Sequence, residues 1–304
     1  MRLKFGQNIL FYVKEHEGKQ GTPTMGGVIF ILPIVIFSLI FNKGSFSPVI
    51  FILSVFVSYA IVGFLDDFIK IKYKRNLGLR AYQKIIFQVA IAVAVAIYVY
   101  NNNAFSNLYI PFTTHSINLG FFIIPFIILV FLSATNSVNL TDGLDGLAGG
   151  TSLCFFISIC IISTFYMNNV AFDEGYISSL GNINVICYCS IGAILGFLMF
   201  NHFPAKIFMG DTGSLSLGAL IAMVCATTGT ILYLPIIGIM FVVSSLSVII
   251  QVLHFKRTKR RVFLMAPFHH HLQHKGIHET KITFIYIVIT LLAGFVCVAL
   301  LGAL

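Results

Sequence analysis

Tryptophan is absent from this 304-residue chain, acidic residues number only ten, and charged residues of both signs make up 10% of it. So little charge cannot coat an ordinary soluble domain, and a hydrophobic fraction of 58% points to a membrane protein. Without Trp, anchoring at the membrane boundary falls to Tyr, Lys and Arg. The six cysteines lie within apolar runs and show no metal-ligand spacing, so they read as small packing residues. No linker, low-complexity tract or clear internal repeat divides the chain, and a single integral-membrane domain over residues 1–304 is expected. The apolar run Ile9–Val13 is too short for a signal peptide.

What the chain does contain is runs long enough to cross a bilayer. Nine are read, near 25–41, 48–66, 85–100, 121–138, 146–166, 183–200, 214–231, 233–254 and 282–302, giving an all-α polytopic fold. With the N-terminus in the cytoplasm, 18 of the 19 Lys and Arg residues fall on the cytoplasmic side, and Lys43 alone lies opposite. One missed span would scramble that pattern, so charge sidedness supports the count as well as the orientation. Asp66, Asp67, Asp142, Asp145 and Asp211 follow the same side. The net charge of +9 is split among cytoplasmic loops instead of forming one stripe, which argues against nucleic acid and fits lipid headgroups or a phosphate-bearing substrate.

Five cytoplasmic stretches concentrate the chemistry. In NSVNLTDGLDGLAGG, residues Asn136, Asn139, Asp142 and Asp145 recur every third position, a spacing that makes successive side chains neighbours on a helix. In GFLDDFIK, Asp66 and Asp67 point about 100° apart on a helix. Lys70 follows at i+4 and i+3. Carboxylates followed by Lys70, Lys72, Lys74, Arg75, Arg80 and Lys84 read equally as a helix salt bridge or as a Mg²⁺–pyrophosphate site. In FMGDTGS, Asp211 reads by default as an N-cap. The loop holding His269, His270, His271, His274 and His278 spaces three of them i, i+4, i+8, which leaves a transition-metal site open beside phosphate binding or plain solvation. Gly21–Gly27 at a helix entrance is either a turn or an anion-binding loop.

Taken in order, GTPTMGG (21–27), GFLDD-x-x-K (63–70), N-x-VNLTDGLDGLA (136–148), FMGDTGSL (208–215) and MAP-x-HHH (265–271) resemble the phospho-N-acetylmuramoyl-pentapeptide transferases. These belong to the polyprenyl-phosphate N-acetylhexosamine-1-phosphate transferases, and the resemblance covers nearly the whole chain. It implies transfer of phospho-N-acetylmuramoyl-pentapeptide from UDP to undecaprenyl phosphate, with Mg²⁺, giving lipid I and UMP at the bacterial cytoplasmic membrane. By motif, Asp66 and Asp67 would be the catalytic pair, with Asp211 and Asp66 as Mg²⁺ ligands and His270 also catalytic. Phe208 would stack on uracil, while Asn139, Asp142 and Asp145 line the nucleotide pocket. Lys70, Lys74 and Lys84 would face phosphates, and Thr24, His269 and His271 would touch substrate.

A homodimer among membrane lipids is the implied assembly. The family usually has ten spans with both termini outside. Here the chain starts after the region of the first, so nine spans, a cytoplasmic N-terminus and an external C-terminus are expected. Two mechanisms stay open at this level: Asp66 assisting direct attack by the lipid phosphate, or Asp67 forming a phospho-enzyme. A sister enzyme transferring N-acetylglucosamine-1-phosphate is the nearest alternative. A metal-ion transporter is disfavoured, because the acids gather at one face and no repeat is found.

Overall fold

The computed structural model describes residues 21–73, 78–102, 105–172 and 174–303. The helices are α1 (Val28–Ile40), α2 (Phe46–Lys72), α3 (Ala81–Asn101), α4 (Ile123–Thr141), α5 (Leu147–Asn169), α6 (Glu174–Asn201), α7 (Gly210–Thr227), the short α8 (Leu234–Ile237), α9 (Ile239–Thr258), α10 (Phe268–His274) and α11 (Glu279–Gly302). Among the described residues, eight elements are long and apolar enough to cross a membrane, and α1, with 13 residues, is a shorter apolar helix. The chain is a multi-pass, all-α membrane protein. Large apolar side chains such as Leu32, Ile86, Leu129, Met199, Leu253 and Phe284 line its outside, where lipid tails replace water.

The centre of the bundle is α7, buried from Thr212 to Thr227. A helix enclosed on all sides needs partners that come close, and its sequence GDTGSLSLGALIAMVCAT supplies small residues for that. A Cβ at Gly213 would fall 2.8 Å from the Cα of Gly27, just ahead of α1. One at Gly218 would fall 2.6 Å from the Cα of Thr135 in α4. From the other partner, a Cβ on Gly63 of α2 would overlap the backbone carbonyl of Asp211. Backbones therefore meet where side chains would hold them apart. Several hydroxyls in the spans are satisfied locally: Thr135, Thr151, Ser190 and Thr227 each donate to the carbonyl four residues back.

At the end opposite the acids, strands β1 (Asn107–Tyr109) and β2 (Ser116–Asn118) pair antiparallel. They are pinned to the bundle through Tyr166, whose hydroxyl donates to the Thr113 carbonyl at 2.9 Å and meets the Tyr233 hydroxyl at 3.0 Å. The structure moves several expected span boundaries, and the run expected at 183–200 is Glu174–Asn201. The runs expected at 214–231 and 233–254 are Gly210–Thr227 and Ile239–Thr258, because Gly229 at φ +71° turns the chain and α8 intervenes. The polar row from Asn136 to Asp145 is also interrupted. α4 ends at Thr141, Asp142 is its C-cap, and Gly146 at φ +73° re-aims the chain into α5.

Candidate active site

Antiparallel spans bring the C-terminal ends of α2, α4 and α6 together with the N-terminal ends of α3, α5 and α7. Asp66, Asp67 and Asp211 converge there, each offering an oxygen within 4.8 Å of the others. The Lys70 ammonium sits among them, 2.6 Å from Asp66, 3.0 Å from Asp211 and 3.7 Å from Asp67. Lys84, one turn into α3, reaches Asp211 at 2.9 Å. The i+3 and i+4 helix salt bridge thus forms, and the same lysine also bridges to α7. Three carboxylates face two ammoniums at the edge of an apolar bundle, so most of the charge is compensated where an isolated one would be costly.

The remaining contacts fix each carboxylate differently. Asp66 accepts the backbone N–H of Leu79 at 2.8 Å. Gly78 packs against the same carboxylate, where a Cβ would come within 2.7 Å of all three of its heavy atoms. Asn139 donates to Asp211 at 2.7 Å and to Ser214 at 2.8 Å, while its own oxygen faces Lys84 at 3.5 Å. Asp67 accepts the backbone N–H groups of Asp211 and Thr212 at 3.2 and 2.9 Å and the Thr212 hydroxyl at 2.8 Å. The cap of α7 is therefore Asp67, supplied from another helix. Asp211 lies inside the first turn, which corrects its reading as an N-cap.

The other motifs close around this centre. GTPTMGG pairs with FMGD by backbone hydrogen bonds: Phe208 N–H to Pro23, Gly26 N–H to Phe208 and Gly27 N–H to Met209. Those two glycine amides are occupied by protein carbonyls and are not free for an anion. The Thr24 hydroxyl is buried and without a hydrogen-bond partner among the described residues. It lies next to Gly210, whose φ of +72° and close neighbours leave no room for a side chain. Asp145 is buried and accepts the Ala205 N–H at 2.9 Å, holding the loop that leads to half-buried Phe208. Asp142 is half-buried between that turn and Gly210. Lys74 lies outside the described residues.

The histidines do not form a metal site. α10 ends at His274, Gly276 at φ +81° breaks the helix, and His278 caps α11, its Nδ1 accepting the Thr280 N–H at 3.3 Å. The i, i+4, i+8 spacing never becomes one face. His271 accepts the Leu264 N–H on Nδ1 at 3.1 Å, which folds its own loop. His270 pairs with Gln273 at 2.7 Å. Buried His269 lies against Gly143, joining this loop to the 142–145 turn. Gln251, a lone amide in the apolar run of α9, accepts from Val262 and Phe263 and donates to the Phe263 carbonyl. Sequence reading missed Gln251, Thr212 and Ser214. An amide at membrane depth was the available signal for the first.

Comparison with known proteins decides what this arrangement belongs to. The model of glycosyl transferase family 4 matches residues 48–229, and the phospho-N-acetylmuramoyl-pentapeptide-transferase signature 1 matches residues 19–31. A phospho-N-acetylmuramoyl-pentapeptide-transferase of Clostridioides difficile (strain 630) is 43% identical over 299 residues, covering 98% of this chain and 89% of its own. The chain belongs to the phospho-N-acetylmuramoyl-pentapeptide-transferase family. The enzyme of the same name from Clostridium botulinum (strain Eklund 17B / Type B) is 43% identical over 96% of this chain and 86% of its own. That from Clostridium perfringens (strain 13 / Type A) is 42% identical over 98% and 90%.

Two electrostatic features of the site carry predictions. Burial, reinforced by the charges of Asp211, Asp67 and Asp145, pushes the Asp142 carboxyl up to about 8. An unfolded Asp titrates near about 3.9. Between those values only the folded protein holds the proton, so this group's contribution to stability falls as pH rises and is fully lost above about 8. In metal-free protein, Asp142→Asn is expected to remove that loss, raising the melting temperature at pH 9 relative to pH 5 when compared with wild type. An unchanged pH profile would exclude the assignment. Burial likewise holds the His270 imidazole below its ordinary value.

The second feature is the fit to a divalent cation. Hard oxygen donors at this spacing suit a small ion such as Mg²⁺, and the Lys70 ammonium already marks the space as one for positive charge. Lys70→Gln is therefore expected to bind Mn²⁺, read by electron paramagnetic resonance without substrate, at least about tenfold more tightly while losing turnover. Weaker Mn²⁺ binding would show that Lys70 supports the ion instead of displacing it.

Proposed function

We propose that this protein transfers phospho-N-acetylmuramoyl-pentapeptide from its UDP carrier to undecaprenyl phosphate, making lipid I and releasing UMP. The observation that carries the reading is the convergence of Asp66, Asp67 and Asp211 with Lys70 and Lys84 at one end of the bundle, built from the family's ordered motifs. A lipid phosphate arriving from the bilayer and a nucleotide arriving from water can both reach helix ends. The sidedness of Lys and Arg supports placing this end at the cytoplasmic face of the bacterial cytoplasmic membrane, with the C-terminus outside.

In the reaction, an acceptor phosphate oxygen forms a bond to the donor's β-phosphorus while the bridging oxygen leaves with UMP and its electron pair. Such transfers depend on charge neutralisation and in-line placement more than on covalent chemistry. Asp66 and Asp211 would hold Mg²⁺, which supplies Lewis-acid stabilisation of the transferring phosphoryl charge when bound. Lys70 and Lys84, released from their carboxylates, turn to the diphosphate. Asp66 orients the acceptor phosphate and draws off its proton. Phe208 stacks on uracil while Asn139, Asp142 and Asp145 shape the nucleoside pocket. Thr24 offers its unpartnered hydroxyl, and His269–His271 border the donor's sugar side. A homodimer is the proposed assembly.

Donor identity separates this reading from the sister activity. Purified protein given undecaprenyl phosphate is expected to consume UDP-N-acetylmuramoyl-pentapeptide and leave UDP-N-acetylglucosamine untouched. The reverse preference would reassign the substrate.

A further inference from the structure

Asn136 opens the polar row that ends at Asp145, yet the centre described above makes no use of it. It stands one turn deeper in α4 than Asn139, at i−3, and therefore on the same face. Its side-chain amide donates to the Leu132 carbonyl at 2.8 Å and to Oε1 of Gln88 at 2.9 Å. Gln88 belongs to α3, one turn or about 6 Å beyond Lys84. It is fully buried, and its backbone carbonyl accepts the Tyr59 hydroxyl from α2 at 3.0 Å. Tyr59 in turn lies two turns before Asp66. A buried layer of Tyr59, Gln88 and Asn136 thus joins the same three helices that carry Asp66, Lys84 and Asn139. Amides inside membrane-spanning helices are costly unless paired, and pairing between helices fixes how they sit against each other.

Little else holds the start of α3. None of residues 81–87 is buried, so Gln88 is the first buried residue of the helix. Ahead of it, the Leu79 N–H reaches Asp66 at 2.8 Å and the Lys84 ammonium reaches Asp211 at 2.9 Å. Both ties run to carboxylates assigned above to the cation, and Lys84 leaves Asp211 when it turns to the diphosphate. The contact between Gln88 and Asn136 is untouched by that exchange. Its polarity is also fixed. Asn136 can donate to the Leu132 carbonyl only through its nitrogen, so the Gln88 atom it meets is the oxygen. Gln88 Nε2 is then left buried and without a hydrogen-bond partner among the described residues. An apolar side chain would fill the space without leaving that donor unpaired, so packing alone does not call for an amide here.

Resting on the transferase reading above, we infer that Gln88 and Asn136 are positioning residues, whose amide contact fixes the start of α3 on α4 and thereby sets where Lys84 stands. Neither touches substrate. They act through Lys84, whose ammonium must meet Asp211 before the donor binds and the diphosphate afterwards.

Two measurements on the full chain in detergent test this. In the first, amide hydrogen exchange is followed without Mg²⁺ and again with it. Gln88→Met keeps the length and removes the amide. Segment 81–87 of this variant is expected to exchange at least about tenfold faster than in wild type, with 92–101 within about threefold. Rates over 81–87 equal to wild type under both conditions would overturn the inference. If 92–101 also loses protection, Gln88→Asn takes the variant's place under the same expectation, since it keeps the amide but is one methylene too short for Asn136.

In the second, kcat and KM are measured with UDP-N-acetylmuramoyl-pentapeptide, undecaprenyl phosphate and Mg²⁺. Gln88→Met and Asn136→Leu are each expected to lower kcat about 10–100-fold with donor KM within about threefold, because Lys84 is misplaced and the nucleoside pocket is not. The double variant should be no slower than the slower single one, since both remove one contact. Adding Gln88→Met to Lys84→Gln should cost less than about threefold more, because the residue it acts through is already gone. A full further loss in the Lys84→Gln background, or wild-type kcat in Gln88→Met, would contradict the pair. Absence of turnover in the wild-type protein would instead strike the transferase reading, and hydrogen exchange would still decide the inference.

Discussion

Asp211→Asn is expected to abolish lipid I synthesis, lowering kcat by at least about 10³-fold while the protein stays folded. The size of the effect follows from what this one carboxylate holds. Its Oδ2 receives both Lys70 at 3.0 Å and Lys84 at 2.9 Å, and its Oδ1 receives Asn139 at 2.7 Å. An amide in its place keeps the shape, loses the charge and turns a donor toward one of those partners. Two ammoniums then face two carboxylates instead of three, and the oxygen set around the cation space is incomplete. Lipid I formation, followed by chromatography with donor binding measured in parallel, checks the prediction. Turnover within tenfold of wild type would remove Asp211 from the catalytic set.

The second large effect is on folding. Gly63→Ala is expected to destabilise the protein by about 3 kcal/mol or more, at the upper end of what overpacking costs. The added Cβ meets the Asp211 carbonyl and, at 2.6 Å, the Thr212 N–H, which are backbone atoms of a buried helix and have no rotamer to escape into. α2 must then move off α7, and Asp67 is carried away from its cap. Thermal unfolding in detergent, read by loss of monodisperse protein, measures it. A melting temperature within two degrees of wild type would show that the two helices tolerate more separation than this packing implies.

These two positions also show what could be read before the structure. The Asp66–Asp67–Lys70 spacing fixed its own salt bridges, because i+3 and i+4 partners meet on any helix. The spans were legible because a bilayer demands long apolar runs. The cap of α7 was not, since its local sequence is that of a self-capped helix and the actual cap comes from a residue 144 positions earlier in the chain. Gly26 and Gly27 looked like free amides until Phe208 and Met209 supplied carbonyls. The histidine spacing failed for a local reason, a helix end at His274 followed by left-handed Gly276. What the sequence could not carry was pairing between segments far apart, and the centre is made of such pairings.

The central claim is that five separated motifs fold into one phosphoryl-transfer centre. The most direct test is UMP release by purified wild-type protein given UDP-N-acetylmuramoyl-pentapeptide, undecaprenyl phosphate and Mg²⁺, with each component omitted in turn. The expected result is matched formation of UMP and lipid I that disappears with any omission. UMP release without lipid I, or turnover undiminished after Mg²⁺ is chelated, would contradict the account.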